Sequence, residues 1–204
     1  YRDPDVDDAV RRQLNRAGMS FSLATKLESE LSERLVNLIP CAEMVKFGKS
    51  GTDVTTAAVR LASAYTGKHN ILYGGYHGWA DWSMSRTFGK NNGIPTALHS
   101  QPFVFGDKPN TQILIEKWRP AAIIVEPTDN KEFLHWLRQQ CTRFNALLIF
   151  DEIQTGFRYS IGGAQGYFEV KPDLACFGKS MANGMPISAL VGKREIMKMM
   201  DGEH

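Results

Sequence analysis

Apolar residues follow two different patterns along this chain. Over residues 5–38 they recur at helical spacing, in two runs that Gly18 separates and Pro40 ends, which predicts two amphipathic helices. Farther along, short runs are rich in apolar and β-forming residues, and the clearest of them, 121–125 and 146–150, are apolar at every position. These runs predict strands at 44–47, 71–73, 121–125, 146–150, 174–177 and 187–191.

Helical patterns alternate with these strands. A helix opens at the turn 48–52 and ends near Gly67, and a second amphipathic helix covers 131–144. Its inward face is Phe133, Leu134, Leu137 and Cys141. Strands buried on both faces that alternate with helices predict an α/β fold, with a mainly parallel central sheet covered by helices. Ligands of such sheets bind at the carboxyl ends of the strands, so the residues directly after each run are the candidates for chemistry.

One stretch departs from this alternation. Residues 83–111 are polar and rich in Gly, Pro and Asn, which predicts a long irregular segment. A loop of this length in a compact domain is usually functional or mobile, and we expect it to gate the site.

Composition and charge narrow the function. The 204 residues carry 24 Lys and Arg against 22 Asp and Glu, a formal charge of +2, which gives no electrostatic basis for binding nucleic acid or an anionic membrane. No apolar run is long enough for a transmembrane helix, and no signal-peptide pattern opens the chain. The three cysteines form no CxxC pair and are expected to be reduced in a cytoplasmic protein. The five histidines have no metal-ligand spacing, so no metal is expected.

Two charged residues follow strands in a chemically useful way. Lys179 comes after the strand 174–177 and is flanked by small residues, which leaves room for its amine to form a Schiff base with a carbonyl. Asp151 comes directly after the strand 146–150, where a carboxylate suits a protonated pyridine nitrogen. Taken singly, a lysine is usually solvated and an aspartate after a strand is often a helix cap.

Two further features complete the same site. Ser50, Gly51 and Thr52 form a turn at a helix start, where backbone N–H groups, hydroxyls and the positive end of the dipole suit a phosphate. Tyr76 follows the strand 71–73 and offers a ring that can stack on a planar cofactor. Together with Lys179 and Asp151, these features predict a pyridoxal phosphate site.

A nucleotide-binding alternative is weaker. Gly-Lys-Ser occurs at 48–50 and at 178–180, but a phosphate loop of the GxxxxGK[ST] type needs Gly five positions before the second Gly. Glu43 and Asp173 stand there instead, and no GxGxxG follows a strand. Both a nucleoside triphosphatase and a dinucleotide-binding protein are therefore disfavoured.

At the level of motifs, the chain resembles the class III pyridoxal phosphate-dependent aminotransferases, and within them the branch of glutamate-1-semialdehyde aminomutase. The resemblance covers nearly the whole chain. The stretches that carry it are MVKFGKSGTDVTTAAVRLASAYTG, YGGYHGWAD, IIVEP, ALLIFDEIQTGFR and GGAQGYFEVKPDLACFGKSMANGMPISALVGKREIM. It implies the three-layer large domain of a fold-type I pyridoxal phosphate-dependent transferase.

The resemblance also implies roles for residues. Lys179 would form the Schiff base and later move the proton, and Asp151 would pair with the pyridinium nitrogen. The cofactor, pyridoxal 5'-phosphate with pyridoxamine 5'-phosphate as its alternate form, would be held by Lys179 and Asp151 together with Ser50, Gly51, Thr52, Tyr76, His77, Glu126 and Gln154. Glu126 would lie on the substrate side of the ring; alternatively, it is a simple strand-end cap before Pro127.

The implied activity is transfer of an amino group between an amino donor and a keto or aldehyde acceptor, with glutamate-1-semialdehyde 2,1-aminomutase as the alternative. Two departures favour the transferase. The segment between Pro127 and the helix at Lys131 is shorter than is usual in the family, and Gln154 stands where the aminomutase usually has Met. A non-catalytic pyridoxal phosphate-fold protein is a third possibility, but such a protein would be expected to lose Lys179 or Asp151.

The resemblance further implies an organisation. Residues 1–40 form an N-terminal helical segment, 41–204 form the cofactor-binding large domain, and the C-terminal small domain is absent from this chain. The expected assembly is a homodimer with shared active sites, with 83–111 and the segment before Lys179 near its interface. A piece without the small domain is expected to be inactive in isolation if it cannot complete the site.

Overall fold

The fold is built from strands of three to five residues and helices of up to 16 residues. The computed structural model describes residues 2–18, 24–84, 94 and 99–200. The α-helices are α1 (Pro4–Ala17), α2 (Lys26–Leu38), α3 (Gly51–Thr66), α4 (Asp81–Met84), α5 (Lys108–Trp118), α6 (Lys131–Phe144), α7 (Gly163–Phe168) and α8 (Arg194–Met197). The strands are β1 (Met44–Gly48), β2 (Ile71–Gly74), β3 (Ser100–Pro102), β4 (Ala122–Val125), β5 (Leu147–Asp151), β6 (Leu174–Phe177) and β7 (Ser188–Gly192). Short 3-10 turns cover Lys179–Ala182 and Lys198–Met200.

The strands form one sheet in the order β1-β7-β6-β5-β4-β2-β3. Strands β3, β2, β4, β5 and β6 are parallel, and β7 runs antiparallel to both β6 and β1. Because two reversals cancel, β1 runs in the same direction as β6. The carboxyl ends of six strands and the start of β7 therefore meet at one edge of the sheet, which confirms the predicted α/β class.

The core lies on both faces of this sheet. Alternate residues of β5 point to opposite sides: Leu148 and Phe150 pack with α2 and α6, whereas Ile149 packs with α3 and α8. All the strand residues from Ala122 to Val125 are fully buried. The burial explains why the central strands are apolar throughout, since neither face meets water.

The predicted strands and helices are confirmed to within one or two residues at each end, but the irregular stretch 83–111 is wrong in part. That range contains the end of α4, the whole of β3 and the start of α5. Helix α5 begins because Asp107 accepts a hydrogen bond from the Asn110 backbone N–H (3.2 Å) and Pro109 lies in the first turn. Strand β3 has only three residues, too few for a periodic signal. The gating role predicted for this range falls mainly on residues 85–93 and 95–98, outside the described residues.

The described residues also bear on membrane-spanning helices and on the state of the cysteines. Among the described residues, no helix is long and apolar enough to cross a membrane. Cys41, Cys141 and Cys176 are all buried and free, as expected for core residues. Burial raises the pKa of the Cys41 and Cys141 thiols to about 12, so neither forms a reactive thiolate at neutral pH.

A buried carboxylate connects several elements at the edge of the sheet where the parallel strands begin. Asp173, which precedes β6, accepts hydrogen bonds from Arg138 (2.7 Å), from Lys193 (2.6 Å) and from the backbone N–H of Leu148 (2.8 Å). Burial alone raises the pKa of Asp173, but the two cations and the three hydrogen bonds outweigh it, so the pKa lies below the usual aspartate range. Helix α6 and strands β5, β6 and β7 are thereby joined at one point.

The variant Asp173→Asn should lose about 2 kcal/mol of unfolding free energy at neutral pH, because the buried carboxylate loses its charge-assisted hydrogen bonds to the partly exposed Arg138 and Lys193. The native pKa is depressed, so this stabilisation is complete above the pKa of the unfolded aspartate and is lost as the pH falls through the lower native value. Denaturant unfolding of both proteins across the acidic range measures the difference.

The matched control is Asp8→Asn. Asp8 pairs with Arg11 on the surface, where both side chains are more than half exposed, and exposed pairs of this kind contribute little. A loss at Asp173 no larger than the loss at Asp8, or a difference that grows toward acid pH, contradicts the assignment.

Candidate active site

The start of α3 presents free backbone donors at the sheet edge. Ser50 caps the helix by accepting from the Asp53 backbone N–H (3.3 Å), and the Asp53 carboxylate accepts from the backbone N–H groups of Ser50 (2.7 Å) and Lys49 (3.1 Å). The hydrogen bond from the Ser50 backbone is the main reason why the pKa of Asp53 is lowered. Within the described chain, the N–H groups of Gly51 and Thr52 meet no acceptor. Donors of this kind at a helix N-terminus suit an anion.

The loop after β2 packs tightly against this turn. Gly78 has φ +94°, and a Cβ there would lie 2.4 Å from Thr52 Oγ1. The Thr55 hydroxyl donates to the His77 carbonyl oxygen (2.9 Å). Only glycine fits at position 78, because it tolerates both the left-handed backbone and the close approach.

The carboxylate of Asp151 is buried and paired. Its Oδ2 lies 2.8 Å from Nδ1 of His77, and its Oδ1 accepts from the Ile153 backbone N–H (3.2 Å). The other ring nitrogen of His77 lies 3.2 Å from the Gly74 carbonyl oxygen. Asp151 is 3% exposed and His77 is 1% exposed, so the pair is shielded from bulk water.

Lys179 follows β6 in an unusual backbone conformation. Its φ is +43°, in the left-handed region that non-glycine residues rarely adopt, whereas Gly178 before it is extended. Ile153 packs between this loop and the turn Ser50–Thr52 at the start of α3, which we call the anion turn. A Cβ at Gly178 would lie 3.0 Å from Ile153 Cδ1, and a Cβ at Gly51 would lie 3.2 Å from the same atom. Backbone strain of this kind is concentrated at functional sites, because the surrounding structure must enforce it.

Glu126 joins the group from the end of β4. A Cβ built at Gly75 would lie 3.6 Å from its Cγ, which places the carboxyl beside the loop that carries Tyr76. Burial raises the pKa of Glu126, the neighbouring Asp151 raises it further, and the neighbouring His77 and Lys179 oppose both. These couplings place Glu126 in one electrostatic environment with the other candidates.

The predicted residues therefore lie on five neighbouring loops, but they differ in their present contacts. Tyr76 is 51% exposed, and Gln154 and Lys179 are also exposed. Among described residues, the side chains of Gln154 and Lys179 have no hydrogen-bond partner. The predicted roles of these three side chains require a ligand and stay predictions. His77 differs from them, since both of its ring nitrogens already face protein groups.

Sequence reasoning missed one buried carboxylate at this edge. Glu152 is fully buried and accepts from the Thr155 hydroxyl (2.8 Å), from the Ala164 backbone (2.7 Å) and from the backbone and side chain of Gln165 (3.0 and 3.3 Å). Burial is the main reason why its pKa is raised. The only available signal was an acidic residue next to Asp151, which does not reveal where its side chain points.

No metal site accompanies these groups in the part of the chain that the structure describes, where no cluster of three His, Cys, Asp or Glu side chains is close enough to hold an ion. The chemistry available is therefore an amine, an anion-binding turn, a buried carboxylate with its histidine, and a second carboxyl whose pKa is raised.

The chain is similar to one protein family over its whole length. A family model described as aminotransferase class-III matches residues 1–204. The 3-aminobutyryl-CoA aminotransferase of Cloacimonas acidaminovorans is 41% identical over 214 residues, covering 98% of this chain and 51% of that protein. A glutamate-1-semialdehyde 2,1-aminomutase of Francisella philomiragia is 41% identical over 220 residues, covering 97% of this chain and 51% of that protein.

A solved structure shares the fold. A transaminase with pyridoxal phosphate bound superimposes with a TM-score of 0.92 at 28% identity, covering 100% of this chain and 52% of that one. The chain thus spans about half the length of the relatives that it matches. The match over every residue and the identities above 40% establish that this chain belongs to the class III aminotransferase family.

Proposed function

We propose that this chain forms the cofactor-binding part of a pyridoxal phosphate-dependent aminotransferase. The protein would move an amino group from an amino donor to a keto or aldehyde acceptor. The observation that carries the proposal is the position of Lys179, whose backbone is held in a left-handed conformation at the same sheet edge as the buried Asp151–His77 pair. The open N-terminus of α3 lies at this edge too.

The residues present fit the cofactor. The unpaired N–H groups of Gly51 and Thr52, with the hydroxyl of Thr52, suit its phosphate. The Asp151 carboxylate suits the protonated ring nitrogen, and the exposed ring of Tyr76 suits its flat face. Gln154 stands where, by the resemblance, the family contacts the ring hydroxyl, so it is the candidate for that contact. The expected alternate form is pyridoxamine 5'-phosphate.

Each residue then has a task. Pyridoxal phosphate supplies, when bound, an aldehyde that accepts amines and a ring that takes up electrons from a neighbouring carbon. Lys179 would be the attachment point for this aldehyde and, once released, would be the base that moves a proton from the substrate carbon. Asp151 would stabilise the protonated ring nitrogen by its negative charge. Glu126, whose pKa is raised by burial, is the candidate for a hydrogen bond on the substrate side of the ring.

The second candidate is the aminomutase reaction, in which both halves of the transfer occur on one molecule. A 41% identical relative bears that name, and this favours keeping the candidate. Gln154 and the short segment after Pro127 favour the intermolecular transferase. The same experiment decides between them.

The reaction test uses the full-length protein loaded with pyridoxal phosphate and no acceptor. A transferase releases one keto product per site from its amino donor, whereas an aminomutase retains the intermediate. We expect Lys179→Ala to lower product formation by at least about a hundredfold, because it removes the proton-transfer group. We also expect borohydride to trap the cofactor on the Lys179 peptide, as detected by mass spectrometry.

Lys46→Ala is the control, because Lys46 is an exposed side chain on the edge strand β1. It should keep both activity and trapping. Trapping at another lysine, or product formation by Lys179→Ala at the rate of the unmodified protein, contradicts the proposal.

The anion turn can be tested separately. Gly78→Ala should weaken pyridoxal phosphate binding, because the new methyl group collides with Thr52 and displaces the turn. Gly67→Ala provides the matched control at the other end of α3. Its φ is also positive (+67°), but a Cβ there would meet no atom within 4 Å. Both variants should lose about 1 kcal/mol or more of stability. Only Gly78→Ala should raise the cofactor dissociation constant in a fluorescence titration; equal constants for the two variants would remove the turn from the site.

We further propose a homodimer whose active sites are shared. It is supported by grooves along the exposed face of α3, next to the anion turn, whose lining includes Thr56, Arg60 and the 77% exposed Trp79. A cytoplasmic location is part of the same proposal and rests on the resemblance and on the reduced cysteines.

Ala57→Arg should convert this dimer to a monomer, because it places a bulky charge in the groove along α3 that the half-buried Ala57 lines. Gln139→Arg is the control, since Gln139 is exposed on α6, which covers the opposite face of the sheet. Sedimentation velocity of the full-length proteins measures the mass. A monomeric unmodified protein, or a dimer that tolerates Ala57→Arg, contradicts the interface.

A further inference from the structure

The His77 ring contacts two groups that only accept hydrogen bonds when Asp151 is ionised. Nδ1 faces the Asp151 carboxylate at 2.8 Å and Nε2 faces the Gly74 carbonyl oxygen at 3.2 Å. A neutral imidazole has one donor nitrogen and one acceptor nitrogen, so it can satisfy only one of these contacts. Both contacts are satisfied when each ring nitrogen carries a proton and the ring is an imidazolium.

Trp82 lies against this ring. The planes of the two rings differ by only 11°, with centroids 6.1 Å apart, and Tyr73 meets both rings edge-on at 6.4 and 6.2 Å. A cation beside the face of an indole is favoured electrostatically. The indole Nε1–H donates to the hydroxyl of Thr56 on α3 (3.2 Å), which fixes the orientation of the indole.

We infer that Trp82 is a positioning residue, which holds the His77 ring as an imidazolium in the plane that bonds Asp151 and Gly74 at once. Its hydrogen bond to Thr56 connects helix α3 to the His77 ring, and His77 in turn contacts Asp151, the carboxylate that would face the pyridine nitrogen of the cofactor. The inference rests on the proposed function for its catalytic meaning, but the contacts and the protonation of His77 do not require a cofactor.

The charges around His77 support this assignment. Asp151 approaches from the end of β5, and the half-buried Glu126 approaches from the end of β4. Lys179 is the nearby cation, and it acts to lower the pKa of Glu126. Asp151 is in direct contact and shielded from water, so an imidazolium is the partner that balances its charge.

The experiment is nitrogen NMR of the histidine side chains in the full chain without cofactor at neutral pH. We expect both ring nitrogens of His77 to be protonated in the unmodified protein. Trp82→Leu should speed solvent exchange of these protons by at least about tenfold, and should weaken pyridoxal phosphate binding by about two- to tenfold, the size expected for a lost aromatic contact.

Two variants isolate the anchor of the indole. Trp82→Phe keeps an aromatic ring but loses the bond to Thr56, and Thr56→Val removes the same bond from the other side. Their effects on exchange should be similar, smaller than that of Trp82→Leu, and not additive in the double variant. Tyr73→Phe is the control, because within the described residues the buried Tyr73 hydroxyl has no hydrogen-bond partner. It should leave the His77 signals unchanged.

A single protonated ring nitrogen in the unmodified protein would overturn the imidazolium. If that nitrogen is Nε2, the proton between Nδ1 and the carboxyl is on Asp151. Unchanged exchange in Trp82→Leu would overturn the positioning role. If Trp82→Leu fails to fold, the positioning role would instead be overturned by additive effects of Trp82→Phe and Thr56→Val on the exchange of the His77 protons. Failure of borohydride trapping at Lys179 alongside the expected NMR result would reject the proposed function and leave this inference standing.

Discussion

The buried contact between Asp151 and His77 determines much of the architecture around it. A carboxylate that is 3% exposed is costly unless it is paired, and His77 is the side chain that pairs with it. The pairing requires the loop after β2 to fold back over the end of β5. That loop can do so only because Thr55 fixes the His77 carbonyl and because glycine at position 78 allows contact with Thr52. The anion turn and the carboxylate are thus positioned by the same contacts.

Two adjacent acidic residues offset the cost of burying a carboxyl group in different ways. Asp151 points to His77 and is compensated by charge, whereas Glu152 points away from it and is compensated by hydrogen bonds from Thr155, Ala164 and Gln165. The first arrangement holds the Asp151 carboxylate beside His77 at the carboxyl ends of the strands. The second secures the segment 152–165 to the sheet, since a buried carboxyl deprived of these donors would be strongly destabilising. The opposite edge is secured by Asp173 with its two cations. Buried carboxylates with several partners, Glu152 and Asp173, therefore stabilise both ends of the strands. The side chains of Lys179 and Gln154, in contrast, are exposed.

Much of the fold was predictable because each buried strand imposes an apolar composition. The runs 121–125 and 146–150 have few alternatives to a strand covered on both faces, and Gly67 stops α3 in the left-handed conformation that its sequence predicts. Helix α5 and strand β3 were not predicted. In α5 the polar and apolar residues are weakly segregated, and its Asp107 cap lies inside a stretch rich in turn-forming residues. Strand β3 is held by pairing with β2 rather than by its own composition.

The sequence by itself determined which chemical groups follow each strand, because the order of the chain places Lys179, Asp151 and the Ser50–Thr52 turn just after runs whose composition predicts strands. It also determined that these groups share one edge, since parallel strands end together. Only the tertiary structure decided which side chains these groups contact. His77 pairs with Asp151 across 74 residues of chain, and Trp82 stacks on His77 while its indole bonds to α3. Contacts between distant segments depend on the packing of helices and loops against the sheet, and no local pattern in the chain records them.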